Sequence, residues 1–294
     1  MCQWKNLMHL QLSYPLFKRL HYTSEAPSEL DNKPFNKAKT GIMNTKIQGI
    51  IRGHPNISSK DVLRLLTFSD VERDHVERTT TMQWQCEEWY IHKAGFITAS
   101  RWKRVFIRQE AIEKNEKDVT KLVKDIVLPE SPHSCGQNQE VEPQNPREWG
   151  LFHEESAPRA YQRLASHTHH KLELVSKGFL ISKSKPFLGA SVDNIQRCQC
   201  SDGCPNKVLE YKFPWKHRDM HPKEAFLTPE IGGTVSQNGF ALKPSSQYYF
   251  HSASNVSSEW AALEYLSRVD KFHDWSVLQA WDVLVSIDSP FHHE

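Results

Sequence analysis

The sequence predicts an α/β fold. Three observations lead there. Phe187-Leu188-Gly189-Ala190-Ser191-Val192-Asp193 and Lys207-Val208-Leu209-Glu210-Tyr211-Lys212 read as neighbouring strands. Leu172 to Ile181 reads as a third strand just before them. Ahead of all three, capped helical stretches end in loops rich in Pro, Asn and Ser.

Taken in order, residues 1–53 read as an irregular N-terminal extension. Ser24-Glu25-Ala26-Pro27-Ser28-Glu29 and Asn32-Lys33-Pro34-Phe35-Asn36-Lys37 carry turn and linker chemistry without sustained periodicity. A domain is expected over 54–250. Ser58 or Ser59 caps a short helix running through Asp61 to Leu66, leucines inward. Helices follow at Thr81 to Lys93 and at Ser100 to Val105, the second with Ser100 as its N-cap. Ser131 to Arg147 reads as a surface loop, and Trp149 to Leu164 as a helix. Pro158 falls inside that helix, where its ring removes the bond to the Glu154 carbonyl and favours a kink. Residues 251–294 form a divergent C-terminal tail in which Ala261 to Leu266 reads as a helix.

Composition narrows the setting. The 294 residues suffice for one ordinary domain with extensions or two small ones. A formal net charge of +2 supplies no global basic field, so contact with nucleic acid must rest on a local patch. No apolar run approaches a membrane span, and Met1-Cys2-Gln3-Trp4-Lys5 does not open a signal peptide. The six cysteines are irregularly placed, as reduced thiols of an intracellular protein are.

The chemistry concentrates in the two acidic strands. Side chains alternate faces along a strand, so Glu210 and Lys212 share one face while Tyr211 points to the other. With Asp193 alongside, two carboxylates converge, which suits a hard divalent cation. A lysine there can orient water and offset charge growing on a phosphate. The pattern Asp, then Glu-x-Lys, points to metal-dependent phosphodiester hydrolysis. The plainer alternatives are a cross-charged strand surface and an Asp that opens a turn before Asn194.

Four blocks stand in order along the chain. They are Trp89-x-x-x-Lys93-x-Gly95-x-Ile97-Thr98-Ala99-Ser100, Trp149-Gly150-x-x-x-Glu154-x-x-Ala157 with Tyr161, Gly189-x-Ser191-x-Asp193, and Glu210-x-Lys212-x-Pro214. Together they resemble the YqaJ-type viral recombinases, relatives of phage lambda exonuclease within the PD-(D/E)XK nucleases. The resemblance runs from about Val76 to Pro214, with a faint continuation at Tyr248-Tyr249. It implies a restriction-endonuclease-like core, a mixed central sheet flanked by helices, and a metal-dependent exonuclease that hydrolyses linear DNA, at double-stranded ends, in recombination or repair.

Residue by residue, the resemblance implies Mg²⁺ or Mn²⁺ held by Asp193 and Glu210, with the Tyr211 carbonyl as a third ligand. Glu154 would sit over the metal, and Lys212 would position the attacking water. Glu154 also reads as an ordinary exposed helical glutamate. Lys93, Thr98, Ser100 and Arg101 would grip a terminal phosphate at a helix N-terminus. Lysine stands at 93 where arginine is usual, a point charge in place of a bidentate clamp. Arg101, Lys103, Arg104 and Arg108 extend a basic surface beside it, which reads equally as a solvated helix face. Ring-forming relatives imply a homotrimer.

The chain departs from the family after Tyr248-Tyr249-Phe250, where His251-Ser252-Ala253-Ser254 replaces a Gln-x-Gln strand. That departure supports a second reading, a catalytically silent, truncated nuclease-fold DNA-binding protein. Arg197-Cys198-Gln199-Cys200-Ser201-Asp202-Gly203-Cys204-Pro205 reads first as a hairpin tip. Its cysteines support a third reading, a zinc-binding interaction module completed by Cys135 or a histidine, although the spacing matches no common zinc signature. His167-Thr168-His169-His170 reads as solvent-facing.

Overall fold

A computed structural model describes residues 40–113, 120–128, 143–154, 156–200, 204, 206–236, 239–243, 245–246 and 248–249. In chain order its helices are α1 (Ile42–Gly53), α2 (Ser59–Leu65), α3 (Asp70–Thr79), α4 (Glu87–Lys93), α5 (Ala99–Glu113) and α6 (Thr120–Val127). Then come α7 (Pro146–Glu154), α8 (Ser156–Ala165) and α9 (Pro222–Leu227). The strands are β1 (Ile97–Thr98), β2 (Glu173–Val175), β3 (Leu180–Ile181), β4 (Leu188–Ala190), β5 (Asn194–Arg197), β6 (Lys207–Leu209), β7 (Gly233–Ser236) and β8 (Gly239–Leu242). Two compact units share these elements: residues 1–132 with 179–190, and residues 133–178 with 191–294.

The first unit holds α1 to α6 and a mixed sheet in the order β1-β4-β3. β1 runs parallel to β4, and β3 antiparallel to it. Phe96 and Phe179 meet edge to face with centroids 5.2 Å apart, and Phe68 lies 5.8 Å from Phe96. Offset and edge contacts of this kind add to what burial alone supplies. Thr80, fully buried, ties this core to α3: its Oγ1 accepts the Phe179 N–H at 2.7 Å and donates to the Val76 carbonyl at 2.6 Å.

Two glycines are dictated by this packing. Gly95 has a φ of +87°, and its N–H donates to the Ile126 carbonyl at 2.7 Å. Only glycine adopts that conformation without penalty. Gly189 lies beneath the Phe179 ring, where an added Cβ would stand 2.2 Å from Cζ. Gly189→Ala should therefore lower stability by about 2 kcal/mol or more, seen as an earlier midpoint in urea unfolding with an unchanged slope.

The second unit holds α7 to α9, an antiparallel sheet in the order β2-β5-β6, and the antiparallel pair β7 and β8. Ala157, Tyr161, Leu209 and Tyr211 form one core, with Leu174 and Phe213 packed against it. Phe226, Ile231 and Leu242 form another, flanked by Phe240, Tyr248 and Tyr249. Pro158 lies in the first turn of α8, within a helical region on either side of Glu155.

Several expectations are corrected. The last twelve residues of the expected irregular extension form helix α1, because Met43 and Ile47, four apart, are buried on one face. Helix α7 begins at Pro146 rather than after a loop ending at Arg147: Asn145 Oδ1 accepts the Arg147 and Glu148 N–H groups at 3.1 and 3.0 Å, and proline suits the first turn. The expected strand from Leu172 to Ile181 is two strands in different sheets, interrupted at Ser176 to Phe179. The α/β class stands, but among the described residues the strands form small separate sheets rather than one central sheet. Residues 1–39, the stretch 129–142 and the tail from 250 lie outside the described residues, and with them Cys135 and the expected helix at Ala261 to Leu266.

Candidate functional site

The pairing of β5 with β6 decides where the acids fall. Asn194 pairs with Leu209 and Gln196 with Lys207, so Asp193 and Glu210 flank the open base of this hairpin. The strand neighbouring Lys207–Leu209 is thus Asn194–Arg197, not the expected Phe187–Asp193, because Leu188–Ala190 is taken up by β1 and β3. Asn194 is a buried strand residue whose Nδ2 donates to Ser176 Oγ at 3.3 Å, so Asp193 does not open a turn into it.

Asp193 Oδ2 accepts the Tyr211 N–H, and Lys212 Nζ donates to Glu210 Oε1. Alternation works as the sequence implies: Leu209 and Tyr211 face the core, 1% and 7% exposed, whereas Glu210 and Lys212 are half-buried. Burial pushes the Asp193 carboxyl up, and the Glu210 carboxylate pushes it further, to about 7, against the opposing pull of Lys212. Burial works against the Lys212 ammonium, but Glu210 and then Asp193 outweigh it and raise the group to about 12. Burial and the Asp193 charge also push the Tyr211 phenol far up. A carboxyl held this high is relieved by a cation, and the oxygen donor set suits a hard one.

Glu154, half-buried, ends α7. That helix packs on the segment beyond Lys212: Trp149 meets Trp215 at 5.8 Å, and His153 stacks on Phe213 at 5.2 Å. Among the described residues Glu154 does not join Asp193 and Glu210 in a group whose ligand atoms all lie within 4.8 Å.

The expected phosphate block lies in the first unit and differs in detail. Helix α5 starts at Ala99, so Ser100 is its second residue rather than its cap, with Thr98 Oγ1 3.1 Å from Ser100 Oγ. Lys93 Nζ sits over the Trp89 ring, 4.1 Å from the centroid. Arg101, read from sequence as surface, is 6% exposed, while Arg104 is exposed and paired with Asp125 at 2.6 Å.

The cysteines of the third reading meet a histidine. His169, Cys198, Cys200 and Cys204 bring their ligand atoms within 4.8 Å of one another. The sequence places His169 facing water; instead the turn after α8 sets it against the hairpin tip, where the Gln199 N–H donates to the His170 carbonyl at 2.8 Å. The thiols and a histidine partner are legible in the sequence, but no spacing singles out His169, about thirty residues upstream.

A family model for the YqaJ-like viral recombinase domain matches residues 88–236, just over half of the chain. The chain belongs to that family. The matched segment of this YqaJ-like protein contains Asp193, Glu210 and Lys212 as well as the block from Trp89 to Ser100. No curated protein matches it significantly. Among solved structures it is similar to the crystal structure of a SOX–DNA complex, at 19% identity and a TM-score of 0.29, over 63% of this chain and 37% of that one. A KSHV SOX–RNA complex follows at 16% identity and a TM-score of 0.29, over 63% and 40%. The YqaJ-like chain thus spans about two fifths of the length of either. Among its described residues, no helix is long and apolar enough to cross a membrane.

Proposed function

We propose that this YqaJ-like chain is a metal-dependent deoxyribonuclease, an exonuclease acting on linear double-stranded DNA in recombination or repair. The observation that carries the reading is the meeting of Asp193, Glu210 and Lys212 at the base of one hairpin, inside the matched family domain. Asp193 and Glu210 would hold Mg²⁺ or Mn²⁺, with the Tyr211 carbonyl as a third ligand. Asp193 is anchored through Oδ2, which leaves Oδ1 to face a cation. Such an ion, when bound, polarises a phosphate and acidifies water.

The chain's own residues do the rest. The Lys212 ammonium, held charged by its two carboxylate neighbours, positions the attacking water or steadies the charge growing on the phosphate. Glu154 contributes a further carboxylate from α7. In the other unit, Lys93, Thr98, Ser100 and Arg101 form a phosphate grip at the start of α5, the positive end of the helix dipole. Assembly as a trimer is part of the same reading.

The test is digestion of linear double-stranded DNA carrying a 5′ phosphate, with Mg²⁺ and with chelator. Digestion that requires the metal supports the reading. A folded wild-type chain that binds DNA without digesting it would favour the catalytically silent relative, for which the replaced Gln-x-Gln segment at His251 to Ser254 speaks.

A further inference from the structure

The cluster at the other end of the hairpin has no part in this chemistry. Cys198 and Cys200 follow β5, Cys204 precedes β6, and His169 lies in the turn after α8. Cys200 Sγ is 3.4 Å from Cys198 Sγ and 3.6 Å from His169 Nδ1. A tetrahedral zinc site with three thiolates and one imidazole separates its donor atoms by roughly 3.5–3.8 Å, given Zn–S near 2.3 Å and Zn–N near 2.0 Å. The two separations at Cys200 are near these values, and all four ligand atoms lie within 4.8 Å of one another. The donor set is soft, unlike the carboxylates at the hairpin base, and so selects a different metal.

The surroundings fit a ligated imidazole. The His170 N–H donates to Cys200 Sγ at 3.3 Å, a bond that favours sulfur carrying negative charge. Gln196, fully buried, accepts the Tyr161 hydroxyl through Oε1 and sets its Nε2 3.3 Å from His169 Nε2. With Nδ1 on a metal, His169 Nε2 carries the proton and needs an acceptor. Turning the Gln196 amide by half a revolution supplies Oε1 there and leaves its NH₂ to donate to the Tyr161 oxygen. The His169 Nε2–H then has its acceptor, and the Tyr161 oxygen keeps its contact with Gln196 as an acceptor.

We propose that His169, Cys198, Cys200 and Cys204 bind one zinc ion, which staples the tip of the β5–β6 hairpin to the turn after α8. Four protein ligands close the coordination sphere, so the site is structural rather than catalytic. Binding displaces the thiol protons and involves no redox step. The proposal does not rest on the nuclease reading. It does bear on it, since the hairpin that zinc holds at its tip carries Asp193 and Glu210 at its base.

The experiment uses the full chain in reducing buffer, stripped with chelator and reloaded with zinc or cobalt, with metal measured by elemental analysis. Stoichiometric zinc is expected, together with the strong visible bands of tetrahedral thiolate-bound Co²⁺ and a melting temperature several degrees above that of the stripped chain. Cys198→Ser, Cys200→Ser and Cys204→Ser should each lose these signals. His169→Cys should retain stoichiometric metal with its cobalt bands moved to longer wavelength, which guards against mere misfolding. Asp193→Asn and Lys212→Ala should leave the zinc content unchanged, so the two metal assignments fail separately. Zinc below about a tenth of an equivalent after reloading overturns the proposal. So does a Cys198–Cys200 disulfide that persists in reducing buffer, or a cobalt spectrum unaltered by His169→Cys.

Discussion

Asp193→Asn is expected to stabilise the metal-free protein while removing its digestion of DNA. Asparagine keeps an oxygen for the Tyr211 N–H, so the local geometry survives. What disappears is a half-buried carboxylate pressed against Glu210. Because this carboxyl is raised to about 7 in the folded chain, from a value near 4 when unfolded, its contribution to stability is full below pH 4 or so and is lost as pH climbs through about 7. At pH 8 the wild type therefore bears the whole penalty, and the variant should gain about 2 kcal/mol, after discounting the shift for the carboxyl's partial exposure. Thermal melts at pH 5 and pH 8 check the sign: the gap between variant and wild type should narrow at pH 5. Added Mg²⁺ should raise the melting temperature of the wild type and not of the variant. Digestion should fall on the order of 10³-fold, as for loss of a metal ligand.

Lys212→Ala is expected to separate metal binding from chemistry. The variant removes a cation from beside Glu210 and Asp193, so the carboxylates should attract a divalent ion at least as strongly as before. Digestion should nonetheless drop on the order of 10²–10³-fold, the usual cost of losing one charge-stabilising donor. Without metal, the two acids are left facing each other, and stability should fall by about 2–3 kcal/mol at neutral pH. Single-turnover digestion paired with Mn²⁺ titration reads both effects. A parallel loss of affinity and rate would make Lys212 a structural residue.

Legibility in the sequence followed the range of the interactions. Ser58 was found as a cap because its partner is three residues away: the Asp61 N–H reaches its Oγ at 3.2 Å. The shared side of Glu210 and Lys212 is legible because alternation along one extended segment is local. What failed was pairing. Nothing within Phe187–Asp193 tells that Leu188–Ala190 joins one sheet while Asp193 sits beside another. His169 stayed hidden for the same reason, since only the fold sets it beside thiols from Cys198 onward. Helix α1 was overlooked because Gly41 supplies no capping side chain and the linker chemistry ahead of it dominated. Arg101 was misplaced because a charged residue in a basic run reads as surface, whereas the turn of α5 carries it inward.

The contact between Gly189 and the Phe179 ring has an evolutionary corollary. The two positions occupy one volume, so neither can be chosen alone. In a relative that carries alanine or serine at the position of Gly189, the position of Phe179 should hold a smaller side chain, and lineages that keep the phenylalanine should be confined to glycine. Correlated exchange at this pair, rather than invariance of either residue, is the pattern that such packing writes into a set of descendant sequences.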